Sequence, residues 1–448
     1  MNKRLLMLAI FATFFISFLT ANSLSTDGAK IDAVDRRFDD ERITDNHNGK
    51  FEKVSVVKLK KNTNLKRVLI EDSKKFLIYY DYDLQGDTIF IGKNCILDFR
   101  GGSLNNGIIV GQYTKIRGNK SSVFSKIKVS GTWNVPKLSS RLFKDCAENN
   151  VLAQLFNLTD SHIQNKVIIE KGTYYVSVSR NNEGALLPQS NTEIVLKGTV
   201  AMKPNPLISY HIFSAMGVKN IYIHGGGIIR GDMYEHEYQE NTSSEWGHGL
   251  VIRGCENVLV DGITIKDCTG DCCSVGAVAS YDVFKPVPVG TPSYKVELRN
   301  CKFESSRRQG LTVGFATDVI VDKCEFSGIY RTYKGTEPGA GIDIEPDNVG
   351  VKKIKRGCDV ANVIIKNSSF KNLRFGVLAW KTDKEDDTRN YERLRIEKCT
   401  FDDILRNNVF IAGFKDAVVK SCESRNIRWG VGFSNCENSY EVDCKILN

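Results

Sequence analysis

Short β-branched runs recur through the second half of the chain, as in Val258-Leu259-Val260, Val319-Ile320-Val321 and Val363-Ile364-Ile365, each cut by Gly, Asn or Asp. Runs this short have no helical period and read as strands. A cysteine pattern keeps step with them, at Cys268, Cys301, Cys324, Cys399 and Cys422, with Ser368 in the same place after Lys366-Asn367. A phenylalanine follows two residues later at Phe303, Phe326, Phe370 and Phe401. Cys301 to Cys324 is 23 residues, Cys399 to Cys422 is 23 and Cys422 to Cys444 is 22, while Cys268 to Cys301 is 33 and Cys324 to Ser368 is 44. A repeat of about 22 to 23 residues with insertions, made of strands, predicts parallel stacking around one core. The expected fold is all-β: a right-handed parallel β-helix.

A second strand in each repeat aligns on its glycine: Gly249-Leu250-Val251, Gly310-Leu311-Thr312, Gly341-Ile342-Asp343 and Gly376-Val377-Leu378, with Cys272-Cys273-Ser274 in the same frame. Alternation puts Leu250, Cys273, Leu311, Ile342 and Val377 inward, and Val251, Ser274, Thr312 and Asp343 outward on the expected working face. Insertions at Ala277–Ser293, Tyr330–Pro338, Pro346–Arg356 and Lys381–Tyr391 flank this strand and are expected to wall a groove.

Upstream the pattern loosens. Lys3 and Arg4 precede an apolar run from Leu5 to Leu19, followed by small or polar residues, which reads as a secretory signal peptide over residues 1–22. The run is shorter than the roughly 20 residues a bilayer needs. The expected locale is therefore secreted or periplasmic. Residues 23–140 carry strand and turn signals expected to form early coils, and residues 141–448 the main helix with its groove loops. Arg141–Asn157 has apolar residues at broadly helical spacing, which predicts a short amphipathic cap on the solenoid's end.

Composition changes this picture little. The net charge of +9 becomes 60 − 53 = +7 once Lys3 and Arg4 leave with the signal, and no basic run interleaves with aromatics, so a nucleic-acid partner is not expected. Thirteen cysteines in an exported chain would ordinarily mean disulfides. Their single recurring position argues for a column of buried thiols instead, acting as small apolar fillers.

Several blocks carry a family resemblance. Glu170-Lys171-Gly172-Thr173-Tyr174-Tyr175-Val176 after the helical stretch, Gly225-Gly226-Gly227, Trp246-Gly247-His248-Gly249, Gly270-Asp271, Arg308-Gln309-Gly310 and Pro338-Gly339-Ala340-Gly341-Ile342-Asp343-Ile344-Glu345-Pro346 resemble the pectate-lyase-3-like group of bacterial right-handed β-helix proteins. The resemblance runs from about Arg141 to Asn448 and implies a carbohydrate-active fold. It does not select a reaction, since one fold hosts several chemistries. A glycine usually follows the Asp of Gly270-Asp271; Cys272 stands there, and its side chain is expected to crowd the groove floor.

The candidate chemistry rests on carboxylates. Asp343 and Glu345 lie two apart on one strand, with Cα atoms about 6.5 to 7 Å apart, and Asp271 lies two coils earlier, about 9.6 Å along the axis. Paired carboxyls suit glycoside hydrolysis, one protonating the leaving oxygen and the other activating water or attacking carbon. Arg308, Arg374, Arg406 and Arg428 form a column two residues before the aligned glycine or its equivalent. Arg308 reads as a substrate or site residue, while Arg406 and Arg428 read as a salt-bridge ladder. Gln309, His248, Asp232 and His236 are candidate polar contacts to substrate, and Trp246 and Trp380 candidate sugar platforms. No zinc-type ligand spacing occurs. Three functions stay open: a glycoside hydrolase needing no cofactor, a polysaccharide lyase holding Ca²⁺ against a uronate, and a glycan-binding protein without catalysis. In each the partner is a polysaccharide or oligosaccharide.

Overall fold

In the computed structural model, residues 54–118, 122–144, 150–331, 333–345, 360–381 and 390–447 are described. The chain separates into residues 1–52 and residues 53–448, and only the second unit falls within this description. The expected signal peptide and the Pro346–Arg356 insertion lie outside the described residues, as does most of Lys381–Tyr391.

Each main coil contributes three strand segments, for example Ser293–Arg299, Lys302–Glu304 and Leu311–Val313. The first segments of successive coils stack into an 11-stranded parallel sheet, and the second and third join in a 17-stranded parallel sheet. Register holds through the insertions, pairing Val258 with Val296, Val319, Val363 and Leu394 in turn. This is the expected parallel β-helix. Earlier residues, from Ser55–Lys58 to Phe124–Trp133, stack as a separate seven-stranded sheet.

The cysteine column has a backbone cause. Asn300, Lys323, Asn367, Lys398 and Ser421, each just before a column residue, have φ between 52° and 54°. That left-handed turn swings the next side chain into the core, where Cys301 Sγ lies 3.2 Å from Arg299 O and Cys324 Sγ 3.5 Å from Asp322 O. All eleven described cysteines are free, and nine of them are buried. Native protein is therefore expected to resist alkylation at Cys301, Cys324, Cys399 and Cys422, and to label fully on unfolding without reductant. Thiols that stay silent after unfolding would mean disulfides.

Next to the thiols, Phe303, Phe326, Phe370 and Phe401 stack with centroids 4.8, 4.9 and 4.8 Å apart and planes within 12° of parallel. Those spacings match the separation of neighbouring strands. The aligned glycines make room for this ladder. A Cβ at Gly341 would sit 2.7 Å from Phe370 Cδ1 and 2.8 Å from Gly376 O. Gly341→Ala is expected to destabilise the fold by about 1–3 kcal/mol through overpacking, read as a lower urea midpoint at unchanged slope.

Two sequence expectations change here. The cap over Arg141–Asn157 shrinks to a turn at Ser140–Leu142 and a helix at Val151–Phe156. That helix joins the two stacks: Gln154 Oε1 accepts from Val129 N at 2.7 Å, Asn157 Nδ2 donates to Val129 O at 3.2 Å, and Phe156 packs edge-on against Phe213. Coils on both sides give it no open end to cover. Cys272 also departs from expectation. It occupies the inward glycine column, is buried, and directs Sγ toward Glu304 O at 3.6 Å, so it does not touch the groove floor.

Candidate functional site

The parallel register brings together residues far apart in sequence. Val251 pairs with Ser274, Ser274 with Thr312 and Thr312 with Asp343, forming one column along the 17-stranded sheet. This face is not an open groove along its whole length, because Val251 and Ser274 are buried and Asp343 is 0% exposed. Glu345, whose side chain is 28% exposed, is the carboxyl of the Asp343–Glu345 pair that reaches solvent.

Arg308 organises the cluster. One amino group donates to Asp271 Oδ1 at 3.4 Å and Gln309 Oε1 at 3.1 Å, and the other to Glu345 Oε2 at 3.1 Å. Burial works against its charge, but Asp271, Glu345, Asp343 and Glu245 outweigh burial and hold Arg308 firmly cationic. Gln309 Nε2 donates to Asp343 Oδ2, and Thr312 Oγ donates to Asp271 Oδ2 at 2.7 Å. Gln309 is fully buried, so it orients Asp343 instead of meeting substrate as the sequence reading expected.

Burial pushes the Asp343 carboxyl well above the usual range, and the neighbouring Glu345 charge pushes the same way against Arg308. Asp343 Oδ1 finds no donor in the structure, which leaves the charged form of this buried carboxyl poorly supported. Burial also raises Asp271, opposed by Arg308 and Thr312. His248 is buried and stacked on His211 with centroids 5.8 Å apart. Its Nδ1 accepts from Asp271 N at 3.0 Å, which places the ring hydrogen on Nε2. Burial first, then Arg253 and Arg308, hold this ring well below the usual histidine range. The 3.6 Å approach of Nδ1 to Asp271 Oδ2 is therefore no ion pair.

Trp246 and Trp380 expose 43% and 39% of their surface at the two ends of the strand column. Asp232 and His236 sit elsewhere, buried in a network in which Asp232 takes His236 Nδ1 at 2.9 Å, Asn205 Nδ2 at 3.0 Å and the Tyr210 hydroxyl. Their expected contact with substrate is not available in this arrangement. The arginine column divides as well: Arg374 pairs with Glu337, while Arg406 and Arg428 lie over the Trp429 ring at 5.3 and 4.5 Å. Cation–π contact replaces the salt-bridge ladder expected of the last two.

Sequence reasoning missed two site residues, Arg307 and Asp282, and gave a third, Thr312, a place on the working face without a role. Thr312 was placed only by alternation. Arg307 was overlooked beside Arg308, yet its buried guanidinium donates to Ser243 O at 3.1 Å, Ser244 O at 2.9 Å and Lys334 O at 2.9 Å, tying two loops to the coil. Asp282 lies within the Ala277–Ser293 insertion and holds Arg253 at 2.6 Å. Its sole signal was a lone acid in that loop.

Calcium fits this donor set poorly. Asp271 and Glu345 both face Arg308, whose guanidinium fills the space between them that a cation would take. Among the described residues no three His, Cys, Asp or Glu side chains gather in a metal-holding group. Nor is any described helix long and apolar enough to cross a membrane.

Comparison with known proteins agrees with the architecture. Residues 289–448 match the family model described as a right handed beta helix region. Two uncharacterized proteins of Bacillus subtilis (strain 168) are similar in sequence. YclG is 33% identical over 215 residues, covering 45% of this chain and 35% of YclG. The SPbeta prophage-derived YorA is 31% identical over 192 residues, covering 40% of this chain and 32% of YorA. The chain thus spans about a third of the length of these curated relatives. Among solved structures, an exopolygalacturonase from Thermotoga maritima aligns with TM-score 0.41 at 12% identity, over 68% of this chain and 91% of that one. The stacked coils, with the match over residues 289–448, show the fold of a right-handed parallel β-helix.

Proposed function

We propose that this protein is an exported glycoside hydrolase acting on a polysaccharide or oligosaccharide through Asp343 and Glu345. One observation carries the reading: two carboxyls on one strand, one fully buried and pushed well above the usual range, the other bound by Arg308 and open to solvent. The pair holds a proton that Asp343 supplies and Glu345 delivers to the glycosidic oxygen. The sugar–oxygen bond then breaks, water adds to the anomeric carbon, and the proton that water releases returns to the pair. Arg308 offsets the negative charge that grows on the carboxyls as the proton leaves. No cofactor enters these steps. Elimination assisted by Ca²⁺ is less well supported, because Arg308 already occupies the carboxylates that would bind the ion.

The test is incubation of purified protein with a glycan panel, with and without chelator. New reducing ends without ultraviolet absorbance, insensitive to chelator, are the expected result. A chelator-sensitive unsaturated product would replace hydrolysis by elimination, and binding without product would leave only the glycan-binding reading.

A further inference from the structure

Resting on that reading, we propose that the site takes an uncharged glycan and discriminates against uronate-containing chains. Among the described residues, the guanidiniums along this face already have partners. Arg308 is shared between Asp271 and Glu345, and Arg253 is held by Asp282 at 2.6 Å and lies over the Tyr281 ring at 5.4 Å. Arg307 is turned away into the backbone carbonyls of Ser243, Ser244 and Lys334. His248 accepts a backbone N–H at Nδ1, which a doubly protonated ring cannot do.

Among the described residues, a substrate carboxylate beside the pair would therefore meet Glu345, the acid that reaches solvent, and an Arg308 already shared with Asp271. One like-charge contact at about 4 Å, screened as near a protein surface, weakens binding on the order of 10²-fold or more.

The remaining surface suits a neutral ring. Between Arg253 and Glu345, successive coils place Gly276 and Gly314, since Arg253 pairs with Gly276 and Val313 with Ile344. Neither glycine has a positive φ, and a Cβ on either would meet nothing closer than 3.5 Å. Packing therefore does not require glycine at these positions, and the missing side chains leave uncharged room beside the carboxyls. Trp380, at the end of the strand one coil beyond Glu345, offers an exposed aromatic face to sugar C–H groups.

Matched polymers isolate charge from linkage. Polygalacturonan is compared with its carboxyl-reduced galactan, and a (1→4)-glucan with its C6-oxidised form, by calorimetric binding and by reducing-end release. For any pair that binds, the neutral member is expected to bind at least 10-fold tighter. Arg308→Ala should leave that neutral-to-uronate ratio within about twofold. Equal or tighter binding of the uronate member, or a ratio that shifts selectively with Arg308→Ala, overturns the substrate class. Tight neutral binding with no reducing ends supports the class while removing the hydrolase reading. Failure of every polymer to bind overturns both.

Discussion

Asp343→Asn and Glu345→Gln are each expected to lower turnover about 10²- to 10⁴-fold while the protein stays folded. Each replacement removes one ionisable group and nearly keeps its shape. Asparagine at 343 still offers an oxygen to Gln309 Nε2, the hydrogen bond that orients this side chain. Because the two carboxyls hold the proton together, the double variant should lose little more than the worse single one. Additive losses would mean two independent groups. Asp402→Asn and Asp403→Asn, both outside the carboxyl cluster, are the controls and should keep wild-type turnover. Initial rates of reducing-end release on one cleaved glycan, with circular dichroism to confirm folding, decide the matter. Wild-type rates in both carboxamide variants would sink the assignment and turn attention to Asp271, the other carboxyl bound by Arg308.

Much of the fold was legible because a solenoid writes the same instruction many times. The cysteine and phenylalanine columns, the inward Leu250, Leu311, Ile342 and Val377, and the pairing of Thr312 with Asp343 all followed from spacing and alternation. Alternation failed at the strand's first residue. The chain bends there, so the residue before the inward position also faces the core, as the nearness of Gly310 and Gly376 to Phe326 and Phe401 shows. Cys272 falls at that bend, which is why it fills the core and not the groove. Pairwise side-chain chemistry was harder to read. Asp232 and His236 resembled surface site residues until Asn205, Tyr210 and Thr269, up to 64 residues apart, closed around them. The covering of Val251 and Asp343 likewise depends on three-dimensional packing that no local pattern announces.

Heat stability should report the proton on Asp343 directly. Its folded pKa lies well above the value in an unfolded chain, about 3.9. Below that value both states carry the proton, and the contribution of Asp343 to stability is fully present. As pH rises further, the unfolded chain releases the proton while the folded one retains it, so unfolding gains in favour until pH passes the folded pKa. Burial raises Asp271 with the same sign, so wild-type stability should fall over this window. Asp343→Asn removes one of these contributions. Its Tm relative to wild type is expected to climb as pH rises above about 4. Asp402 supplies the opposite sign, because Asn426 and Lys371 hold its carboxyl below the usual range. Asp402→Asn should therefore show a small Tm deficit that is nearly constant above about pH 4 and fades as pH falls below it, and only a small one, since that side chain is solvent-screened. Scanning calorimetry of the three proteins at matched ionic strength is the measurement. Parallel Tm curves for wild type and Asp343→Asn would show that Asp343 ionises normally in the folded protein, and would leave the carboxyl pair without its stored proton.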